Sequence, residues 1–143
     1  MSARMSKIVF DANFQNLDEI REFVGDTARQ MGFSDKDIYA IQLAADEAST
    51  NIIEHAYDGV SDGKLEIDCE IIGGELKIVM RDWGKPFDPT SVPEPNLNAD
   101  LSERKIGGLG MYLMRKLMDE VSYESSPETG NTLTMVKRNG GLG

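Results

Sequence analysis

The sequence predicts one α/β domain, an α+β two-layer sandwich in which a mixed, mostly antiparallel sheet carries three helices over one face. Three observations carry that expectation. Two helical periods follow one another between Asn16 and Tyr57. An alternating strand, Lys64 to Ile72, returns through Gly73-Gly74, a two-residue hairpin turn. Val121 to Ser125 and Asn131 to Lys137 form a second hairpin around Pro127 and Gly130. A chain of 143 residues suits a single domain, 1–143, with enough core to stand without staples.

Taken in order, Lys7-Ile8-Val9-Phe10 is a short β-prone run. Asn16 is placed to cap the first helix, with Glu19 three residues on. Leu17, Ile20, Val24 and Ala28 keep helical spacing to about Met31, which makes Gly25 a close packing point rather than a break. Gly32 ends the helix, and Ser34 caps the next, with Asp35 and Asp37 at the positive end of its dipole. This long helix runs to Tyr57, where Asp58-Gly59 terminates it. In the hairpin, Leu65, Ile67, Cys69 and Ile71 face inward, Lys64, Glu66, Asp68 and Glu70 outward, and Leu76, Ile78 and Met80 continue the inward face. Cys69 is therefore a core thiol, with no base placed beside it to activate it.

After Asp82 the pattern breaks. Thr90 to Ile106 is rich in Pro, Asn, Asp and Ser, a loop whose length in a compact domain marks a lid, a binding loop or a disordered insert. Gly107-Gly108-Leu109-Gly110 then opens a third helix with Leu109, Leu113, Met114, Leu117 and Val121 as its buried stripe. Glycines at a helix N-terminus suggest a phosphate. Asn139 to Gly143 reads as a frayed tail.

Composition excludes several classes. A net charge of -10 argues against sequence-independent nucleic-acid binding, which relies on Lys and Arg. One cysteine and one histidine rule out an internal disulfide, an all-cysteine metal site and a multi-histidine zinc site within one chain. No apolar run is long enough to span a membrane, and the first residues lack the core of a signal peptide, so a cytoplasmic protein with no membrane or direct nucleic-acid contact is expected.

Within the long helix, Glu47, Asn51 and His55 fall at i, i+4 and i+8, beside the apolar stripe of Ile38, Ile41, Ala45, Ala48, Ile52 and Ala56. Each alone is a common solvated helix edge. Together they supply a proton acceptor and an oxygen for a metal. Asp82, aimed outward at a strand end, is a hydrogen-bond acceptor, and Gly84 beside it lets another group approach the backbone closely. The plain alternative is a turn carboxylate.

The order Glu47-x3-Asn51-x3-His55, a hairpin ending in Asp82-x-Gly84, a long polar loop and Gly108-x-Gly110 at a helix start resembles the Bergerat (GHKL, histidine-kinase-like) ATPase superfamily, over about Ser34 to Lys137. Asp82-Trp83-Gly84-Lys85-Pro86-Phe87-Asp88-Pro89 and His55-Ala56-Tyr57 resemble the anti-sigma-factor serine/threonine-protein kinases within it. The resemblance implies the Bergerat ATP-binding fold with a lid at about 88–107. It implies an ATP-dependent protein serine kinase and anti-sigma factor that binds a sigma factor or other regulator and phosphorylates a serine on an antagonist protein. A non-catalytic ATP-binding partner-switching module is the alternative.

The cofactors expected are ATP and Mg²⁺, and a homodimer is expected from the family. Glu47 is placed as the catalytic base, Asn51 as metal ligand, and Asp82, Gly84, Gly108, Leu109, Gly110, Lys105 and Thr132 as nucleotide contacts, with Arg104 a second candidate cation and His55 structural. The chain departs from the family at two places. Gly130-Asn131-Thr132 stands where members often carry Gly-Thr, and Ile106-Gly107 separates the basic pair from the phosphate glycines.

Overall fold

The structure, a computed structural model, describes residues 4–57, 63–86 and 114–139. Five strands form one sheet in the order β1-β2-β3-β5-β4: β1 Arg4–Asp11, β2 Lys64–Ile72, β3 Glu75–Asp82, β4 Glu120–Ser126 and β5 Gly130–Arg138. Among the described residues every pairing is antiparallel, in keeping with the mostly antiparallel sheet expected. The reason lies in the last hairpin: β5 turns back beside β3 and leaves β4, which runs parallel to β3, on the edge.

Helix α1, Leu17–Gln30, follows a 3₁₀ turn at Phe14–Asn16. Asn13, not Asn16, supplies the side-chain cap, its Oδ1 accepting from the Gln15 N–H at 2.8 Å. Asn16 already has helical dihedrals, φ -92° and ψ -2°, and a cap needs an extended residue. Its Nδ2 donates instead to the Asp11 carbonyl at 2.9 Å and closes the end of β1. Gly32, at φ +81°, ends the helical run as expected. Gly25 is the expected close contact, since a Cβ there would collide with the Gln42 side chain of α2.

Helix α2, Asp35–Asn51, starts on Ser34, whose Oγ accepts from the Asp37 N–H at 3.2 Å. The helix does not stay regular to Tyr57. Ile52–Ala56 form a π turn, closed by the Tyr57 N–H on the Ile52 carbonyl at 3.2 Å. Such a turn widens the helix and rotates the residues beyond it, so the i, i+4, i+8 stripe drawn through His55 holds only as far as Asn51. Residues 114–117 are helical, within the stretch expected for the third helix; its glycine start lies outside the described residues.

The core is one cluster that joins Ile20, Val24 and Ala28 of α1 and Ile41, Ala45 and Ala48 of α2 to the inward residues of the sheet. Leu65, Ile67, Leu76, Ile78, Met80 and Met135 are completely buried, as their alternation requires. Cys69 sits among them, and burial pushes its thiol up to about 12, which agrees with a core role. Asn139, expected in a frayed tail, is docked: its N–H donates to the Gly74 carbonyl at 2.7 Å and its Nδ2 to the Met31 carbonyl at 3.3 Å. Among the described residues no helix is long and apolar enough to cross a membrane.

Cross-strand register explains where the core stops. One inner row reads Ile8, Ile67, Met80, Leu133, Tyr123, apolar throughout. The row toward the strand ends reads Phe10, Leu65, Asp82, Asn131, Ser125. Over β3, β5 and β4 the inner face thus turns polar within a single step of the pleat. The sequence folds an acid and an amide into a position that a core would give to hydrophobes.

Candidate functional site

Asp82, expected to aim outward, lies on the inner face of the sheet and is only 4 % exposed, and Asn131 only 3 %, because the pleat puts both in the row of Phe10 and Leu65. Both groups need partners at that depth. Asn131 Nδ2 donates to Asp82 Oδ1 at 2.7 Å and to the Gly84 carbonyl at 3.0 Å, while its Oδ1 accepts from Ser125 Oγ at 2.7 Å. The Gly84 N–H adds a second donor to Asp82 Oδ1, at 3.0 Å. Burial pushes the Asp82 carboxyl upward, and the Asn131 and Gly84 donors pull against it. The Asn131 amide is fixed by bonds at both ends. Among the described residues, Asp82 Oδ2 takes no hydrogen bond, which leaves one carboxylate oxygen as an acceptor.

Gly84 has a reason beyond close approach by another group. A Cβ there would run into the Ala56 carbonyl, and the next residue, Lys85, donates its N–H to that carbonyl at 2.7 Å. Gly130 is equally constrained, with φ +80° and space for a Cβ only 2.6 Å from the Asp82 carbonyl. A cleft of about 260 Å³ opens beside this loop, lined by Trp83, Gly84, Pro86, Pro127, Gly130 and Asn131 among others.

On α2, Asn51 is buried and its Nδ2 donates to the Glu47 carbonyl at 2.5 Å. Tethering the nitrogen leaves the amide oxygen as the free acceptor, which is what a hard cation takes from an asparagine. Among the described residues no group of three His, Cys, Asp or Glu could hold a metal. Glu47 is half-buried. Burial first, then the charges of Asp46 and Glu54, raise its carboxyl above the ordinary range. A raised carboxylate is a stronger proton acceptor.

The loop that carries Asp82 and Gly84 is joined to the end of the π turn by the Lys85 N–H on the Ala56 carbonyl, and Asn51 and Glu47 lie further back along that same helix. Thr132 does not join them. It pairs with Arg81 and Glu124 on the opposite face of β5, because adjacent strand residues point to opposite sides. Asn131 takes the place expected of Thr132. An asparagine poor in β propensity next to a turn glycine was the available signal. Lys105, Arg104, Gly108, Leu109 and Gly110 lie outside the described residues, as do residues 88–107, expected as a lid, and the His55 side chain.

The family of histidine kinase-like ATPase domains matches residues 10–137. The chain is 34 % identical over 125 residues to a serine-protein kinase RsbW of Bacillus velezensis, covering 82 % of this chain and 75 % of that one. It is 36 % identical over 127 residues, with the same coverage, to a serine-protein kinase RsbW of Bacillus licheniformis. The crystal structure of the RsbU and RsbW domains of a Mycobacterium tuberculosis protein superposes with a TM-score of 0.66 at 22 % identity, over 94 % of this chain and 32 % of that longer one. The catalytic domain of the histidine kinase ThkA superposes with a TM-score of 0.54 at 16 % identity, over 94 % of this chain and 96 % of that one. The two superpositions speak for the fold.

Proposed function

Since the chain belongs to the histidine kinase-like ATPase family, in the branch of the RsbW serine-protein kinases, we propose that it is an ATP-dependent protein serine kinase and anti-sigma factor. It binds a sigma factor or similar regulator and changes partner by phosphorylating a serine on a small antagonist protein. Residues 1–143 act as a single domain in the cytoplasm, as a homodimer, with 88–107 as the lid. One observation carries the reading: the inward Asp82 carboxylate, with one oxygen bonded by Asn131 and Gly84 and the other, among the described residues, without a hydrogen bond and able to accept from an amino group. That donor and acceptor pattern suits adenine, whose exocyclic amine needs an acceptor in a buried site.

Each residue then has a task. Asp82 Oδ2 accepts the adenine amine, and Asn131 and Gly84 hold the carboxylate in place. Asn51 offers its amide oxygen to Mg²⁺. An ion held there would supply positive charge to offset that of the phosphate oxygens. Gly108, Leu109 and Gly110 give N–H groups to the phosphates, with Lys105 as the nearby cation. Glu47 takes the proton from the attacking serine hydroxyl, and its raised carboxyl favours that transfer.

Incubation with labelled ATP, Mg²⁺ and the antagonist-type protein encoded nearest to this chain tests the reading. Label on a serine of that protein is expected. Tight ATP binding with no transfer would leave a non-catalytic partner-switching module instead.

A further inference from the structure

We propose that Tyr57 is a positioning residue for the nucleotide site, a strap that sets the adenine end against the metal end; the proposal rests on the ATP-binding reading above. Tyr57 ends the helix that carries Glu47 and Asn51, and it is 7 % exposed. Its hydroxyl makes two bonds in opposite senses. It donates to the Lys64 carbonyl at the start of β2 at 2.6 Å and accepts from the Trp83 N–H, just after β3, at 2.8 Å. A phenol has one proton to give and lone pairs to receive, so this arrangement satisfies it. The bond to Trp83 falls on the residue next to Asp82.

Two close approaches make the strap stiff. Gly63 lies against the Tyr57 ring, where a Cβ would come within 2.5 Å of ring carbons. Gly84 lies against the Ala56 carbonyl, and the Lys85 N–H bonds to that carbonyl. The loop from Asp82 to Lys85 is thus held from the sheet side by Asn131 and from the helix side by Ala56 and Tyr57. Among the described residues Tyr57 makes no hydrogen bond to Asp82 or to Asn51. Its effect is to fix the offset between them, which a ligand spanning both must match.

A residue with that role has a selective signature. Adenosine needs only the Asp82 end, whereas Mg-ATP must fit both ends at once. Tyr57→Phe keeps the ring packing and removes both bonds. Binding of each ligand is followed by the emission of Trp83, the only tryptophan of the chain. Mg-ATP affinity should fall about 10-fold, the scale of a lost buried hydrogen bond, and adenosine affinity by about 2-fold or less.

Equal losses for the two ligands, or none for Mg-ATP, would overturn the proposal. Failure of the wild-type protein to bind either ligand would instead sink the nucleotide reading, a result seen before any variant is made. If Tyr57→Phe does not fold, Gly63→Ala decides the matter, because it keeps the hydroxyl and displaces the ring. The same bias against Mg-ATP supports the strap, and wild-type affinity for both ligands overturns it.

Discussion

The two ends of the candidate site are built in opposite ways. At Asp82, three strands and a loop converge: Asn131 and Gly84 donate to the carboxylate, Asn131 also donates to the Gly84 carbonyl, and Ser125 donates to Asn131. At Glu47 the helix offers a carboxylate that takes no side-chain hydrogen bond among the described residues, and its neighbour Asn51 is tethered by its nitrogen alone. The difference matches two kinds of work. Recognition of a base gains from groups fixed before the ligand arrives, since ordering them later would cost affinity. Proton acceptance and metal ligation need an oxygen still available when the reactants assemble.

The largest test falls on the open end. Glu47→Gln should cut phosphotransfer by about 10²- to 10⁴-fold, the range for a lost general base, and leave ATP affinity near wild type. Asn51→Ala should do the reverse, abolishing the Mg²⁺ dependence of nucleotide binding because the ion loses its protein oxygen. Single-turnover transfer and calorimetry with and without Mg²⁺ separate the two. Transfer at the wild-type rate by Glu47→Gln would remove the catalytic assignment.

At the closed end the expected effect is smaller and concerns binding alone. In Asp82→Asn the amide oxygen can still accept from Gly84 and Asn131, so the fold survives. Its nitrogen then faces the ligand, donor against donor. Adenine-nucleotide affinity should fall by roughly 5- to 150-fold, equivalent to about 1 to 3 kcal/mol for a buried mismatch. Unchanged affinity in calorimetry would take Asp82 out of the site.

How far these ends could be read beforehand follows the same division. Period and turn chemistry are local, so α1, α2, the β2–β3 hairpin and the inward set of Leu65, Ile67, Leu76, Ile78 and Met80 were legible in the sequence. Asp82 and Gly84 were visible as a motif. What escaped depends on register and on a change of helical pitch. Asn131 faces Asp82 and Thr132 faces away, a difference of one residue that only the β3–β5 pairing decides. The π turn after Asn51 has no composition signal in Ile52-Ile53-Glu54-His55-Ala56, yet it brings Tyr57 onto Trp83.

The smallest effect is one of stability, and it bears on both ends. The carboxyls of Asp82 and Glu47 are raised above the ordinary range, burial being the first cause for each. A group raised on folding contributes stability that is complete below the unfolded carboxylate value, about 4, and is lost as pH rises through the folded value. At neutral pH both carboxylates therefore weaken the ligand-free fold. Asp82→Asn should raise the Tm at pH 7 by about 2 °C, and Glu47→Gln by less, because solvent screens its half-exposed charge. Glu66 works in the opposite sense, its carboxyl lowered chiefly by the hydrogen bond from Lys7, so its contribution fades as pH falls. Comparing variant with wild type at each pH cancels Glu66 and isolates the site. The gain should be present at pH 7 and gone near pH 4. A Tm that drops at pH 7, or a gain that persists in acid, would mean that the two carboxylates stabilise the empty site rather than strain it.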